Sequence, residues 1–214
     1  MNLFNYDKQK ADNYNYLIGT DEAGRGSGAG PVFAAAVCFT KIDAKLKKEL
    51  KDINDSKKLT EKQRETFFDI IKENSVYDVQ MGSVEEIRTL NILRCSLLCM
   101  KKACNTVISK LEDENILVIV DGNKLIPDFE HSQEYIVKGD GKSASIAAAS
   151  ILAKVSRDRY MTELGQGYPE YNWSQNKGYL TEEHLSAIDK YGVTEYHRNK
   201  FLEKHFSAKQ LSLF

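Results

Sequence analysis

Acidic side chains close three separate apolar runs of this 214-residue chain. The run Leu17-Ile18-Gly19-Thr20 ends in the adjacent pair Asp21-Glu22. Residues 116–120 read Ile-Leu-Val-Ile-Val and end in Asp121-Gly122-Asn123, and Tyr135-Ile136-Val137 leads into Gly139-Asp140-Gly141. Ligand sites of α/β sheets gather at strand ends. Carboxylates that share a site repel one another unless a cation neutralises them or some take up protons. An oxygen-only set favours Mg2+ or Mn2+ over zinc. Two such ions about 3.5–4 Å apart activate water and stabilise the leaving oxygen in phosphodiester cleavage. The plainer alternative is that Asp121 and Asp140 only begin turns, as Asp-Gly often does. The coincidence of four acids at three run ends favours the chemistry.

A glycine-rich stretch follows the first acid pair: Gly24-Arg25-Gly26-Ser27-Gly28-Ala29-Gly30-Pro31. Glycines remove side chains where backbone must approach a partner closely. Arg25 adds a fork suited to phosphate. The spacing Gly24-x-Gly26-x-x-Ala29 nominally fits a dinucleotide fingerprint, but that fingerprint needs a helix after the turn. Pro31 and a β-prone run follow instead, so strand–turn–strand is expected. No Gly-Lys-Ser/Thr closes the loop, which excludes a P-loop. A plain hairpin with a loose turn is the alternative.

The elements that must position these groups follow from periodicity. Residues 14–20 and 31–40 read as paired strands, and 76–81 alternates as a strand does. Residues 116–120 are the unbroken apolar run of a strand covered on both faces. Residues 135–137 form another short strand. Thr60, with Gln63 three residues on, caps a helix running to about residue 74. Residues 84–90 form a short helix, 91–111 a long amphipathic one, 143–163 a second long, alanine-rich one, and 181–191 a further one. Residues 165–178 read as a loop, and residues 1–13 as a polar, loosely held extension. No internal repeat or long linker divides the chain.

Charged residues make up 29% of the chain and the net charge is -1, which excludes a strongly basic protein. Nucleic-acid binding then needs a local basic face, for which Lys57, Lys58, Lys154, Arg157 and Arg159 are the candidates. No apolar run approaches the ~20 residues of a membrane span. The first residues lack a signal-peptide pattern, so a cytoplasmic protein is expected. Cys38, Cys95, Cys99 and Cys104 include no Cys-x-x-Cys pair, and buried thiols in a reducing compartment are expected. His131, His184, His197 and His205 show no ligand spacing and read as structural or surface residues.

With these residues in view, the chain resembles the type 2 ribonuclease H family, ribonuclease HII. The matching stretches are residues 21–26 (Asp-Glu-Ala-Gly-Arg-Gly) with 29–32, residues 55–59 (Asp-Ser-Lys-Lys-Leu), 91–94, 120–123, 138–140, 146–158, 176–179 and 196–198. They run in family order across about residues 15–201. The resemblance implies an α/β fold, a ribonuclease H-like mixed β-sheet flanked by helices with a small helical C-terminal part. In domain terms it implies a catalytic domain over 14–164, the helical part over 165–205, and a tail over 206–214. It implies a metal-dependent endonuclease that hydrolyses RNA in RNA–DNA hybrids and cuts 5′ of single ribonucleotides in DNA, leaving 5′-phosphate and 3′-hydroxyl ends. Such an enzyme serves replication and ribonucleotide excision repair, and a monomer is expected. Asp21, Glu22, Asp121 and Asp140 match the family's metal-binding acids, for Mn2+ or Mg2+, with two ions during catalysis. Gly24-Arg25-Gly26 matches the turn that grips the junction phosphate, Lys57 falls in a substrate-binding stretch, and Tyr179 matches the tyrosine that packs on the deoxyribose.

The physics agrees with that assignment. Discriminating one ribose in DNA requires sensing its 2′-hydroxyl, which glycine amides can approach and a flat ring can reject. An ordinary half-buried tyrosine is the alternative for Tyr179. The chain departs from the family pattern at three places. Ser27-Gly28 stands where Pro-Leu is usual, Leu180 where Gly is usual, and Asn199-Lys200 where a basic residue and serine are usual.

Gln210-Leu211-Ser212-Leu213-Phe214 resembles the peptide with which bacterial replication proteins bind the DNA sliding clamp. Leu211, Leu213 and Phe214 would be apolar anchors in a groove and Gln210 would fix the register. The alternative is that these residues cover the domain's own core. For the whole chain, the competing functions are a resolvase-like nuclease acting on DNA alone and a non-catalytic nucleic-acid-binding protein.

Overall fold

The computed structural model describes residues 2–211, with side chains through Ser207. Helix α1 (Leu3–Lys10) precedes a hairpin of β1 (Tyr16–Ala23) and β2 (Val32–Cys38) that encloses the glycine turn. Helix α2 (Ala44–Glu49) and a 3-10 turn at Ser56–Lys58 lead to α3 (Glu61–Asn74) and β3 (Val76–Gly82). Then come α4 (Val84–Leu90), α5 (Ile92–Ile108), β4 (Ile116–Asp121) and β5 (Ser132–Ile136). A 3-10 turn at Gly139–Gly141 delivers the chain to α6 (Ala144–Gly167), and α7 (Trp173–Asn176), α8 (Glu182–Tyr191) and α9 (Asn199–Leu211) follow. The five strands form one mixed sheet in the order β3-β2-β1-β4-β5. The pairs β1–β2 and β2–β3 are antiparallel, whereas β1–β4 and β4–β5 are parallel.

Strand alternation sends side chains to both faces of this sheet, and both are covered. Leu17, Leu117 and Ile119 meet Ile146 of α6 on one face. Ile18, Val118 and Val120 meet the α5 side chains Met100, Cys104 and Val107 on the other. This is why residues 116–120 carry no polar residue. Helix α6 lies close to β1 because Ala147, Ala148 and Ala149 are small and because residue 19 is glycine. A Cβ at Gly19 would lie 2.6 Å from the Ser145 carbonyl oxygen. The Thr60–Gln63 capping box is formed in both directions at α3, and Ser83–Glu86 forms a second at α4.

Three expectations change. The strand expected to stop at Thr20 continues through Asp21 and Glu22 to Ala23, because β2 still offers ladder partners there. Residues 2–13 are not loosely held. Asp7 of α1, 3% exposed, accepts hydrogen bonds from the backbone N–H and Oγ of Ser145, each at 2.8 Å. The first turn of α6 has unpaired N–H groups that need such an acceptor. The ring of Phe4 packs on Phe39, and Lys10 pairs with Glu134. The loop over 165–178 contains the C-terminal end of α6, a short 3-10 turn and α7. Tyr171 and Trp173 from that region pack with Met161, Ile188 and Leu202 and join the C-terminal helices to α6. Among the described residues no helix is long and apolar enough to cross a membrane.

Candidate active site

Parallel pairing of β1 with β4 sets Thr20 beside Val120, so the residues that follow, Asp21 and Asp121, stand side by side where the β1–β4 ladder ends. Both lie on the α6 face by alternation. Asp21 is 5% exposed. Burial pushes its carboxyl well above the usual carboxylate range, and the charges of Glu22 and Asp121 push it further. The Ser150 hydroxyl and the Glu22 N–H, at 2.7 Å from Asp21 Oδ1, oppose that shift. Glu22 is raised by burial and by Asp121, against the pull of Arg25, whose Nη1 sits 3.0 Å from Glu22 Oε1, and of Lys57. Asp140, on the 3-10 turn after β5, is raised by burial, then by Asp121 and Asp55, against Lys57. Asp121 therefore stands among the other three acids. Its Oδ1 accepts the Gly139 N–H at 2.6 Å, which ties the Asp140 turn to the end of β4.

The glycine turn is held from behind by two buried arginines. Arg157 of α6 is fully buried. It donates through Nε to the Pro31 carbonyl at 2.9 Å, through Nη1 to Lys177 at 2.9 Å and through Nη2 to Ala29 at 3.1 Å. Arg198 donates through Nε to Gly30 at 2.8 Å and through Nη1 to Gly24 at 2.7 Å and Arg25 at 3.3 Å. With these carbonyls turned inward, the N–H groups of Arg25 and Gly26 have no partner among the described residues. The Arg25 side chain is half exposed. Gly24 has φ +92°, a conformation that suits glycine.

Tyr179 lies beside this turn. Its ring is 38% exposed, with Lys154 Nζ 5.8 Å and Arg157 Cζ 5.7 Å from the centroid. The preceding carbonyl, Gly178 O, accepts from Gly28 N at 2.9 Å and Ala29 N at 3.1 Å. The Tyr179 carbonyl is fixed by a buried network. His184 Nδ1 donates to it at 2.9 Å, so His184 Nε2 is the acceptor for Trp173 Nε1–H at 3.0 Å and for His197 Nε2–H at 3.2 Å. His197 Nδ1 in turn accepts the Thr194 N–H at 2.9 Å. Every partner fits a neutral imidazole. Burial pushes His197 down to about 4 and lowers His184 as well.

The sequence expectations divide here. Asp21, Glu22, Asp121 and Asp140 come together around Asp121, beside Lys57 and the Gly24-Arg25-Gly26 turn. The basic face does not form as expected. Arg157 is interior, Lys154 pairs with Asp158 at 2.7 Å, and Arg159 pairs with Glu65. Charge alone places Arg157 on the surface, whereas its helical phase puts it inside. It lies four residues from both Ala153 and Met161 on the buried stripe of α6. Arg198 falls in the matching stretch 196–198, but its supporting role leaves no mark in the sequence beyond a glycine turn rich in carbonyls that strands leave unpaired. All four cysteines are free and buried. His184 and His197 are buried structural residues, in line with the sequence reading. Leu213 and Phe214 lie outside the described residues, as do the side chains of Gln210 and Leu211.

Comparison with known proteins decides the family. The family model for Ribonuclease HII matches residues 18–209. This chain belongs to the ribonuclease HII family. It is 48% identical to Ribonuclease HII of Fusobacterium nucleatum over 97% of this chain and 94% of that protein. It is 47% identical to Ribonuclease HII of Caldicellulosiruptor bescii, over 92% and 91%. Among solved structures it is similar to the ribonuclease HII in a PCNA complex from Archaeoglobus fulgidus, with TM-score 0.70 and 25% identity over 86% of this chain and 93% of that one. It is also similar to ribonuclease H2 of Pyrococcus horikoshii, with TM-score 0.64 and 25% identity over 88% and 98%. The ribonuclease H-like sheet expected from the sequence is thus the fold of its neighbours. As a ribonuclease HII, the chain is an endonuclease that degrades the RNA of RNA–DNA hybrids.

Proposed function

We propose that this ribonuclease HII cuts 5′ of single ribonucleotides embedded in DNA as well as within longer hybrids, and leaves 5′-phosphate and 3′-hydroxyl ends. The observation that carries the reading is the placement of Asp21, Glu22 and Asp140 each within electrostatic reach of Asp121, beside a glycine turn whose Arg25 and Gly26 N–H groups have no partner among the described residues. Their donor set fits hard divalent cations: it is all oxygen, partly desolvated, and carries more negative charge than Lys57 and Arg25 offset. Among the described residues no three acid, histidine or cysteine side chains are drawn in tightly enough to enclose one ion. Holding an ion would require these carboxylates to stand closer together. Asp21, Glu22, Asp121 and Asp140 would hold two ions, Mg2+ or Mn2+, which supply an activated water and charge stabilisation at the leaving oxygen.

The protein's own groups supply the selection. The free N–H groups of Arg25 and Gly26 reach the ribose 2′-hydroxyl and its phosphate, with the Arg25 guanidinium as a fork. The Tyr179 ring packs on the next sugar and admits a deoxyribose. Lys57 steers the backbone phosphates toward the acids. The C-terminal motif, Gln210 with Leu211, Leu213 and Phe214, docks on the sliding clamp. A relative solved with PCNA and the peptide pattern support that contact.

The test compares a DNA duplex with one ribonucleotide, a long hybrid and an all-DNA duplex, each with Mg2+, Mn2+ or chelator. Cleavage of the first two only, and only with metal, is expected; equal cutting of all-DNA overturns the reading. Asp121→Asn should abolish turnover and leave hybrid binding measurable by fluorescence anisotropy. Removing the last five residues should abolish clamp binding and spare hydrolysis of short substrates.

A further inference from the structure

Gly28 and Leu180, from separate segments of the chain, lie against each other. Gly28 does not serve backbone freedom, since the left-handed glycines are Gly24, Gly30, Gly122, Gly178 and Gly192. It serves space. A Cβ at residue 28 would lie 2.5 Å from Leu180 Cγ and 3.0 Å from its Cδ1. The volume next to the glycine turn is therefore filled by the side chain at position 180, and glycine at position 28 leaves room for it. The surrounding backbone is fixed on both sides. Gly28 N donates to Gly178 O at 2.9 Å, and Arg198 N donates to Gly28 O at 2.8 Å. Leu180 is half-buried in the C-terminal cluster with Met161, Tyr171 and Trp173. It directly follows Tyr179.

We propose that Gly28 and Leu180 form one packing unit, in which the Leu180 side chain holds Tyr179 in register with the Gly24-Arg25-Gly26 turn and so acts as a positioning residue for junction selection. The proposal rests on the reading of Tyr179 and the turn given above. Its mechanical part does not. With the two backbone segments joined by hydrogen bonds, the isobutyl group fills the space that remains between the ring-bearing segment and the turn. A side chain on both positions overfills the gap, and a side chain on neither leaves it hollow.

The test is a double-mutant cycle on the full chain: Gly28→Leu, Leu180→Gly and the pair together, with Gly28→Ala as a milder overpacking variant. Two quantities are read. One is the melting temperature. The other is the ratio of kcat/KM on single-ribonucleotide DNA to kcat/KM on a long hybrid. Each single change is expected to lower the melting temperature by about 5 °C and to shift the ratio by about tenfold. The double exchange is expected to restore both, the ratio to within about twofold. If the two losses add in the double variant, there is no unit. If Leu180→Gly lowers the melting temperature and leaves the ratio unchanged, the leucine only supports the fold and the positioning role is overturned. If the wild type does not cut single-ribonucleotide DNA, the junction reading falls and the positioning role with it; coupled melting temperatures would identify that case.

Discussion

At the scale of single residues, the site region contains polar atoms that the protein itself does not satisfy. Ser27 Oγ is fully buried and has no hydrogen-bond partner among the described residues, and Arg198 Nη2 is in the same position. An unpaired buried hydroxyl costs about 1–3 kcal/mol. Ser27→Ala should therefore stabilise the fold by about 1 kcal/mol, seen as a higher urea midpoint at unchanged slope. A lower midpoint would mean that the hydroxyl is satisfied in solution. The four acids were legible in the sequence because each closes an apolar run, and a charge at a strand end stands out against its neighbours. Arg157 was not legible as an interior residue. Its partners are the carbonyls of Ala29, Pro31 and Lys177, and backbone acceptors leave no mark in the amino-acid types that carry them.

Helix α6 does the most at the scale of elements. Its Ser150 touches Asp21, its Arg157 holds the turn, its Lys154 and Arg157 flank Tyr179, and its Met161 joins the C-terminal cluster. Its alanine-rich first half was readable as a close-packing surface. Its anchor was not, because Asp7 acts from 138 residues away in a segment whose composition suggests a loose extension. Asp7→Ala should cost about 1–2 kcal/mol, since it strips the acceptor from the Ser145 N–H and Oγ. Equilibrium urea unfolding checks this, and a variant with wild-type stability would show that α1 contributes nothing to α6.

For the whole molecule, the mixed strand order was legible only through the family resemblance, because single-strand periodicity does not report which strands pair or in which direction. The C-terminal helices were visible as a helical part, but their cohesion through Tyr171, Trp173, His184 and His197 was not. That cluster gives stability a pH signature. His197 is depressed in the folded state to about 4 from 6.5. As pH falls below 6.5 the unfolded chain takes up the proton first, so this contribution is intact above 6.5 and is lost progressively down to about 4. The full loss is about 3 kcal/mol. The raised acids Asp21, Glu22 and Asp140 act in the opposite sense, because their folded forms bind protons more readily. The diagnostic is thus the difference from His197→Asn, whose unfolding free energy should vary less steeply between pH 6.5 and 4. Parallel pH profiles would contradict the neutral-imidazole network.

The missing side chain at residue 19 has a consequence beyond its own contact. Ser145, Ser150 and Arg157 are successive points on one stiff rod, and Gly19 lies under the first of them. A single methyl group there would act as a shim beneath one end of a lever. It would tilt the rod and shift, together, the hydroxyl that steadies Asp21 and the guanidinium that shapes the turn. The smallest residue in the central strand thereby sets the alignment of the acid cluster and the glycine turn, neither of which it touches.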